Sequence, residues 1–195
     1  MLLNNPYRFA FYLIISFQLM ACSHNPNKAQ DNDDSQKSKT ERIRSNFERI
    51  NSKTHFSKID TFALDESTDG GEVLFFEDSS QLEKVVARHY GESGKNIDEF
   101  YLENNQLSFV LEKDFHYNRP YYMDSLKAKE LGDTEYFDDS KTKIHDIKSY
   151  FDKNQLFFQI NVAARKDPAS QNKLIKENSR IHDYFKHLLN VRNKK

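Results

Sequence analysis

Three windows along the chain repeat one design: an aromatic strand, a polar turn, then Gln-Leu opening the next strand. They read FFEDSSQLEKV (75–85), FYLENNQLSFV (100–110) and YFDKNQLFFQI (150–160). The pairs Gln81-Leu82, Gln106-Leu107 and Gln155-Leu156 are offset by 25 and then 49 residues. One hairpin per 25 residues describes an antiparallel meander, because strands joined by tight turns pair with their neighbours in sequence. The second offset is almost twice the first, so a loop over about 118–141 interrupts the series.

The periodicity agrees. Leu107, Phe109, Leu111, Lys113, Phe115 and Tyr117 alternate with Ser108, Val110, Glu112, Asp114 and His116, and Leu156, Phe158, Ile160 and Val162 alternate in the same way. Period two with one largely apolar face predicts half-buried strands. At the two ends the period changes to helical. Ile43, Phe47 and Ile50 form one stripe over residues 40–51, with Thr40 as N-cap, and Leu174, Ile181, Phe185, Leu188 and Leu189 form another in a segment starting near Ser170. The expected fold is α+β: an antiparallel meander of about six strands, a short N-terminal helix and a C-terminal amphipathic helix. A sheet apolar on one side must be covered, and the two helices are the available cover.

Composition bounds the rest. With 16 Phe and 10 Tyr, a chain only 37% hydrophobic and 30% charged can still close a core, since each aromatic ring buries a large area. The 29 Lys and Arg balance 30 Asp and Glu, which excludes the basic excess of a nucleic-acid binder. A single cysteine, Cys22, excludes an internal disulfide and a thiolate metal site.

Residues 1–22, MLLNNPYRFAFYLIISFQLMAC, carry a positive Arg8, an apolar run from Phe9 to Leu19 and the small Ala21 before the cysteine. That is the architecture of a secretory signal, with an apolar run too short for a permanent span. Leu19-Met20-Ala21-Cys22 resembles the lipobox of bacterial lipoproteins. The resemblance implies cleavage before Cys22, a diacylglyceryl thioether on its sulfur and acylation of the new amino group. Several acyl chains anchor durably where one would not. The segment 22–39 lacks large apolar residues and reads as a flexible tether. The expected division is thus a signal peptide over 1–21, a lipidated cysteine and tether over 22–39, and a single β-rich domain over 40–195. The expected location is the outer membrane or cell envelope, with its face left open.

A search for chemistry finds little. Gly91-Glu92-Ser93-Gly94-Lys95 lacks the spacing of a phosphate loop and reads as a turn. His89 and His116 fall on the less apolar strand face. They read either as a two-histidine zinc site across strands or, more simply, as exposed strand histidines, and no metal or cofactor is expected. Asp133, Glu135, Asp138 and Asp139 crowd one loop as solvated charge. With no nucleophile–base pair, no catalytic residue is named. The candidate binding residues are Tyr117, Asn118, Arg119, Tyr121 and Tyr122, because Tyr and Arg are enriched at binding hot spots. The Asn-x-Pro they bracket is equally turn chemistry.

The run from Ser67 to Asp124, with residues 136–160, resembles a group of uncharacterised lipoproteins from Bacteroidetes-type bacteria. The shared motifs are Thr68, Gly70, Gly71 and Glu72, the Tyr90 to Lys95 connection, and Tyr117 to Pro120. The hairpins distantly resemble MORN-type repeats, which carry Asn-Gly where this chain has Ser80-Gln81, Asn105-Gln106 and Asn154-Gln155. The group implies no activity. The expected function is a membrane-anchored envelope lipoprotein with a non-catalytic binding or accessory role toward a protein or glycan. Its rivals are an inhibitor-like module against a hydrolase and, behind that, an envelope hydrolase.

Overall fold

The computed structural model describes residues 27–162 and 170–194, with side chains from Ser35 onward. The expected signal peptide and Cys22 lie outside the described residues. Helix α1 spans Asn27–Asn51. Seven strands follow: β1 Lys58–Leu64, β2 Gly71–Asp78, β3 Gln81–Gly91, β4 Gly94–Glu103, β5 Gln106–His116, β6 Lys143–Asp152 and β7 Gln155–Asn161. A short helix α2, Ser125–Glu130, lies between β5 and β6, and α3 spans Gln171–Asn193. Every strand pairs antiparallel with its sequence neighbours, in the order β1 to β7. The fold is therefore α+β, built on an antiparallel meander.

The sheet has seven strands where about six were expected. The three Gln-Leu hairpins supply β2–β3, β4–β5 and β6–β7. The seventh, β1, joins the edge through the longer 65–70 connection, which carries no such signature.

The three hairpins share their turn geometry. Their central residues are Ser79-Ser80, Asn104-Asn105 and Lys153-Asn154, each pair with φ between 49° and 65°. Two consecutive left-handed residues match the right-handed twist of the flanking strands. The turns thus sit one residue earlier than Ser80-Gln81, Asn105-Gln106 and Asn154-Gln155, and each glutamine is already the first residue of a strand. The pairing shifts at the same distance before each turn: at Phe76/Glu77, Tyr101/Leu102 and Tyr150/Phe151. The register leaves Glu83, Ser108 and Phe157 as the extra residues, so each second strand bulges there.

Those bulges change which side chains share a face. Strict alternation puts Leu107 with Phe109 and Leu111. The bulge at Ser108 instead sends Leu107 to the opposite side, into a core with Val73, Phe75, Val85, Phe100, Val110 and Leu156. Against that core α3 lays Leu174, Ile181 and Leu188, seven residues apart and all buried. Phe109, Leu111 and Tyr101 face the other way and meet Ile43, Phe47 and Ile50 of α1. The sheet is apolar on both faces, and each helix covers one of them. The expectation of a one-sided sheet is corrected accordingly.

Helix α1 begins at Asn27, not at Thr40. Residues 27–39 contain no Gly or Pro, so nothing in them breaks a helix. Thr40 is no N-cap, since its Oγ1 donates to the carbonyls of Gln36 (2.6 Å) and Lys37 (3.0 Å), as a threonine inside a helix does. The tether expected over 22–39 is helical from Asn27. Among the described residues, no helix is long and apolar enough to cross a membrane.

The helix is keyed to the hairpin ends. Arg42 and Lys39 of the helix, with Lys53 two residues past its end, reach the acids that precede the three turns: Glu103 at 2.7 Å, Asp152 at 3.0 Å and Asp78 at 2.6 Å. Two bulge residues are met as well. Glu83 receives Arg49 and Lys53, and Ser108 accepts from Asn46 at 3.1 Å.

Candidate functional site

On the α3 face, four strands change character along their length. Val85 and Ala87 give way to His89, and Phe100 to Asp98 and Asn96. Val110 yields to Glu112, Asp114 and His116, and Phe151 to Ser149, Ile147 and His145. The apolar half, toward the left-handed turns, lies under α3. The polar half runs past the helix toward the tight Gly91–Gly94 turn.

The result is an open groove of about 840 Å³. One wall is the flank of α3, where Arg180, Tyr184 and His187 fall on one side of the helix. The floor is the polar half of the sheet, and Glu66 and Ser67 close one end.

Most groove side chains are engaged. Arg180 donates to both carboxylate oxygens of Glu112, at 2.8 and 2.9 Å, and to Glu177 at 2.9 Å. His89 Nε2 and Tyr184 Oη lie 2.6 Å apart, and burial holds the His89 imidazole below its usual range. His187 pairs with Glu66. Burial raises the Glu112 carboxyl, although Arg180 pulls the other way.

Asp98 differs. Burial pushes its carboxyl up to about 7, reinforced by the negative charges of Glu112 and Asp114 and opposed by Arg180. It lies in the groove floor, on β4, and no hydrogen bond to another described residue accompanies it. A carboxyl held near neutrality in a cleft is a candidate functional position.

Beside the groove floor a second constellation forms. Asp114 and His116 are two residues apart on β5, and His145 of β6 lies directly opposite Asp114. One donor atom from each of the three lies within 4.8 Å of the others. The zinc pairing considered for His89 and His116 is not formed. His89 turns to Tyr184, while His116 sits at 2.8 Å from Asp114 and 5.1 Å, ring to ring, from His145.

Comparison with protein-family models, with curated proteins and with solved structures returns no match.

The tyrosine segment proposed for binding sits elsewhere, on the connection from β5 to β6. Tyr117 N–H donates to Ser93 O at 2.9 Å, and its ring packs edge-on against Phe137. Asn118 bridges that connection, donating to Tyr136 O (2.9 Å) and accepting from Asp138 N–H (3.0 Å). Arg119 is paired with Asp133. Those three tie the loop together. Tyr121 and Tyr122 stand exposed, their rings perpendicular at 5.7 Å, with Lys127 over Tyr122. Of the five, only these two present free aromatic surface.

The acids of 133–139 do turn work. Asp133 Oδ1 accepts from Glu135 N–H, and Asp138 Oδ1 from Ser140 N–H, both at 3.0 Å. Those contacts, with Arg119 on Asp133 and the Ser140 hydroxyl on Asp138, hold both carboxyls below their usual range.

Asp98, Tyr184 and Arg180 were missed because they are strand and helix residues with no motif. One signal existed: Asp98 is a charged residue on the same strand face as Phe100, two residues away.

Proposed function

We propose that the protein is a cell-envelope lipoprotein, anchored through acylated Cys22, whose groove along α3 binds a polar ligand without turning it over. The partner chemistry that fits is a glycan or a polar peptide segment presenting hydrogen-bond donors. The observation that carries this reading is Asp98, a half-buried carboxyl in the floor of an open, polar groove with no hydrogen bond to another described residue. Burial and the neighbouring Glu112 and Asp114 carboxylates disfavour its charge, so a hydrogen-bond donor from a ligand meets an acceptor not already shared.

A hydrolytic reading has one point in its favour, the same carboxyl near 7, which suits a general acid. It needs a second carboxylate free to act as base. Glu112, its neighbour, is held by two hydrogen bonds from Arg180, which argues for binding over turnover.

The test is an array of envelope glycan and peptide fragments, probed with the acylated protein in detergent beside its Asp98→Asn variant. The expected result is retention of one ligand class without turnover, weakened by the substitution while the melting curve keeps its shape. Equal binding by both proteins, or product released from a retained fragment, would reject the reading. Metabolic labelling with a fatty acid, lost in Cys22→Ser, tests the anchor separately.

A further inference from the structure

We propose that Asp114, His116 and His145 form a binding site for a divalent transition-metal ion, Zn²⁺ foremost, at the mouth of the groove. The proposal stands on the geometry of these three residues and does not depend on the identity of the groove's ligand.

Strand geometry brings them together. Residues i and i+2 of one strand share a face, and the directly opposed residue of an antiparallel neighbour has its Cβ about 4.5–5.5 Å away. Asp114 and His116 are the i, i+2 pair, and His145 is the opposed residue. Their donor atoms lie within 4.8 Å of one another, and the His116 Nε2 to Asp114 Oδ2 distance is already 2.8 Å. A tetrahedral zinc with bonds of about 2.0–2.2 Å needs donors about 3.3–3.6 Å apart. The widest separation must therefore shrink by roughly 1 Å and the His116–Asp114 pair open by roughly half an ångström, both within the reach of a ring rotation about the soft χ2 of histidine.

The donor set chooses the ion. Two imidazole nitrogens favour Zn²⁺, Cu²⁺ and Ni²⁺ over Ca²⁺ and Mg²⁺, which prefer oxygen. Three protein ligands leave a fourth position for water or a ligand group, as in open zinc sites. Both histidines are exposed, so the ion has a path in. A bare surface ion pair would account for His116 with Asp114 alone. The second imidazole, 5.1 Å away ring to ring, is close enough to share an ion with that pair. Lys143, opposite His116, is the one cationic side chain in the adjoining register position, and it weakens the site without blocking it.

The experiment is calorimetric titration of the full-length protein with ZnCl₂, beside His116→Ala, His145→Ala and a His55→Ala control. His55 is exposed and remote in sequence from all three ligands. The expected result is one ion per chain, with affinity falling about tenfold or more in each of the first two variants and unchanged in the control. Histidine ring NMR on the unmodified protein gives a second readout: zinc should shift the His116 and His145 signals and leave that of His182 in place. No stoichiometric binding, binding that survives both substitutions, or shifts at other histidines only would overturn the proposal.

Discussion

Asp98 and its surroundings show how one side chain in a polar groove can oppose stability. Its carboxyl keeps its proton in the folded chain up to a pH of about 7, against roughly 3.9 for a free aspartate. Between those values the native state holds one proton more than the unfolded state, so stability falls as pH rises through that window and the penalty is complete above it. Asn carries no proton to lose. Asp98→Asn should therefore raise the unfolding free energy at pH 8 by about 2 kcal/mol or more, with the gain shrinking toward pH 4. Urea denaturation at the two pH values checks this, and an equal effect at both would show that the carboxyl is solvated. Glu99, its neighbour on the opposite face, behaves in the contrary sense. Burial works against its charge, yet hydrogen bonds from Lys84 and Tyr101 hold its carboxyl below the usual range.

At the scale of the hairpin, the left-handed turns are where local chemistry is least favourable. Asn tolerates φ near +55° better than other non-glycine residues, and Ser gains little there. Ser79 and Ser80 occupy such a turn at φ 50° and 65°. Replacing the pair by Asn-Gly should stabilise the protein by about 1 kcal/mol without altering the pairing. A thermal melt with unchanged amide exchange in β4–β7 would confirm it, whereas destabilisation would show that the serine hydroxyls are needed. These hairpins were legible in advance because turn residues and alternation are local signals. The bulges at Glu83, Ser108 and Phe157 were not, since only pairing with the partner strand reveals an extra residue. That is why Leu107 was placed on the wrong face and the sheet looked one-sided. The same blindness hid the metal constellation. His116 and His145 are separated by the whole β5–β6 connection, and only the register sets them side by side. The tyrosine segment shows the converse. Its composition was legible, but only the fold separates Tyr117, Asn118 and Arg119, which hold their own loop, from the exposed Tyr121 and Tyr122.

Across the whole molecule, the two faces of the sheet hold separate cores, one under each helix. Leu188 is fully buried beneath α3, and Leu188→Ala should cost about 3 kcal/mol through lost transfer energy and the cavity left behind. Hydrogen exchange should accelerate first in α3. Equal acceleration in α1 would indicate that the two cores form one cooperative unit. The helices also differ in how they are fastened. Helix α1 and the Lys53 just past its end reach the three hairpin ends with cations, whereas α3 lays Leu174, Ile181 and Leu188 on the sheet and turns one charged flank to the groove.

Because strand order equals chain order from β1 to β7, each strand after the first, as it emerges from the ribosome, finds a partner already present. Local pairing of this kind favours rapid folding and spares the chain long searches for distant partners. Helix α3 arrives last, and with it the cover for the apolar half of one face. Growth of the sheet and completion of the groove are thus separate moments in the life of the nascent chain, and a molecule stalled between them would expose Val73, Phe75 and Phe100 to whatever chaperone stands nearby.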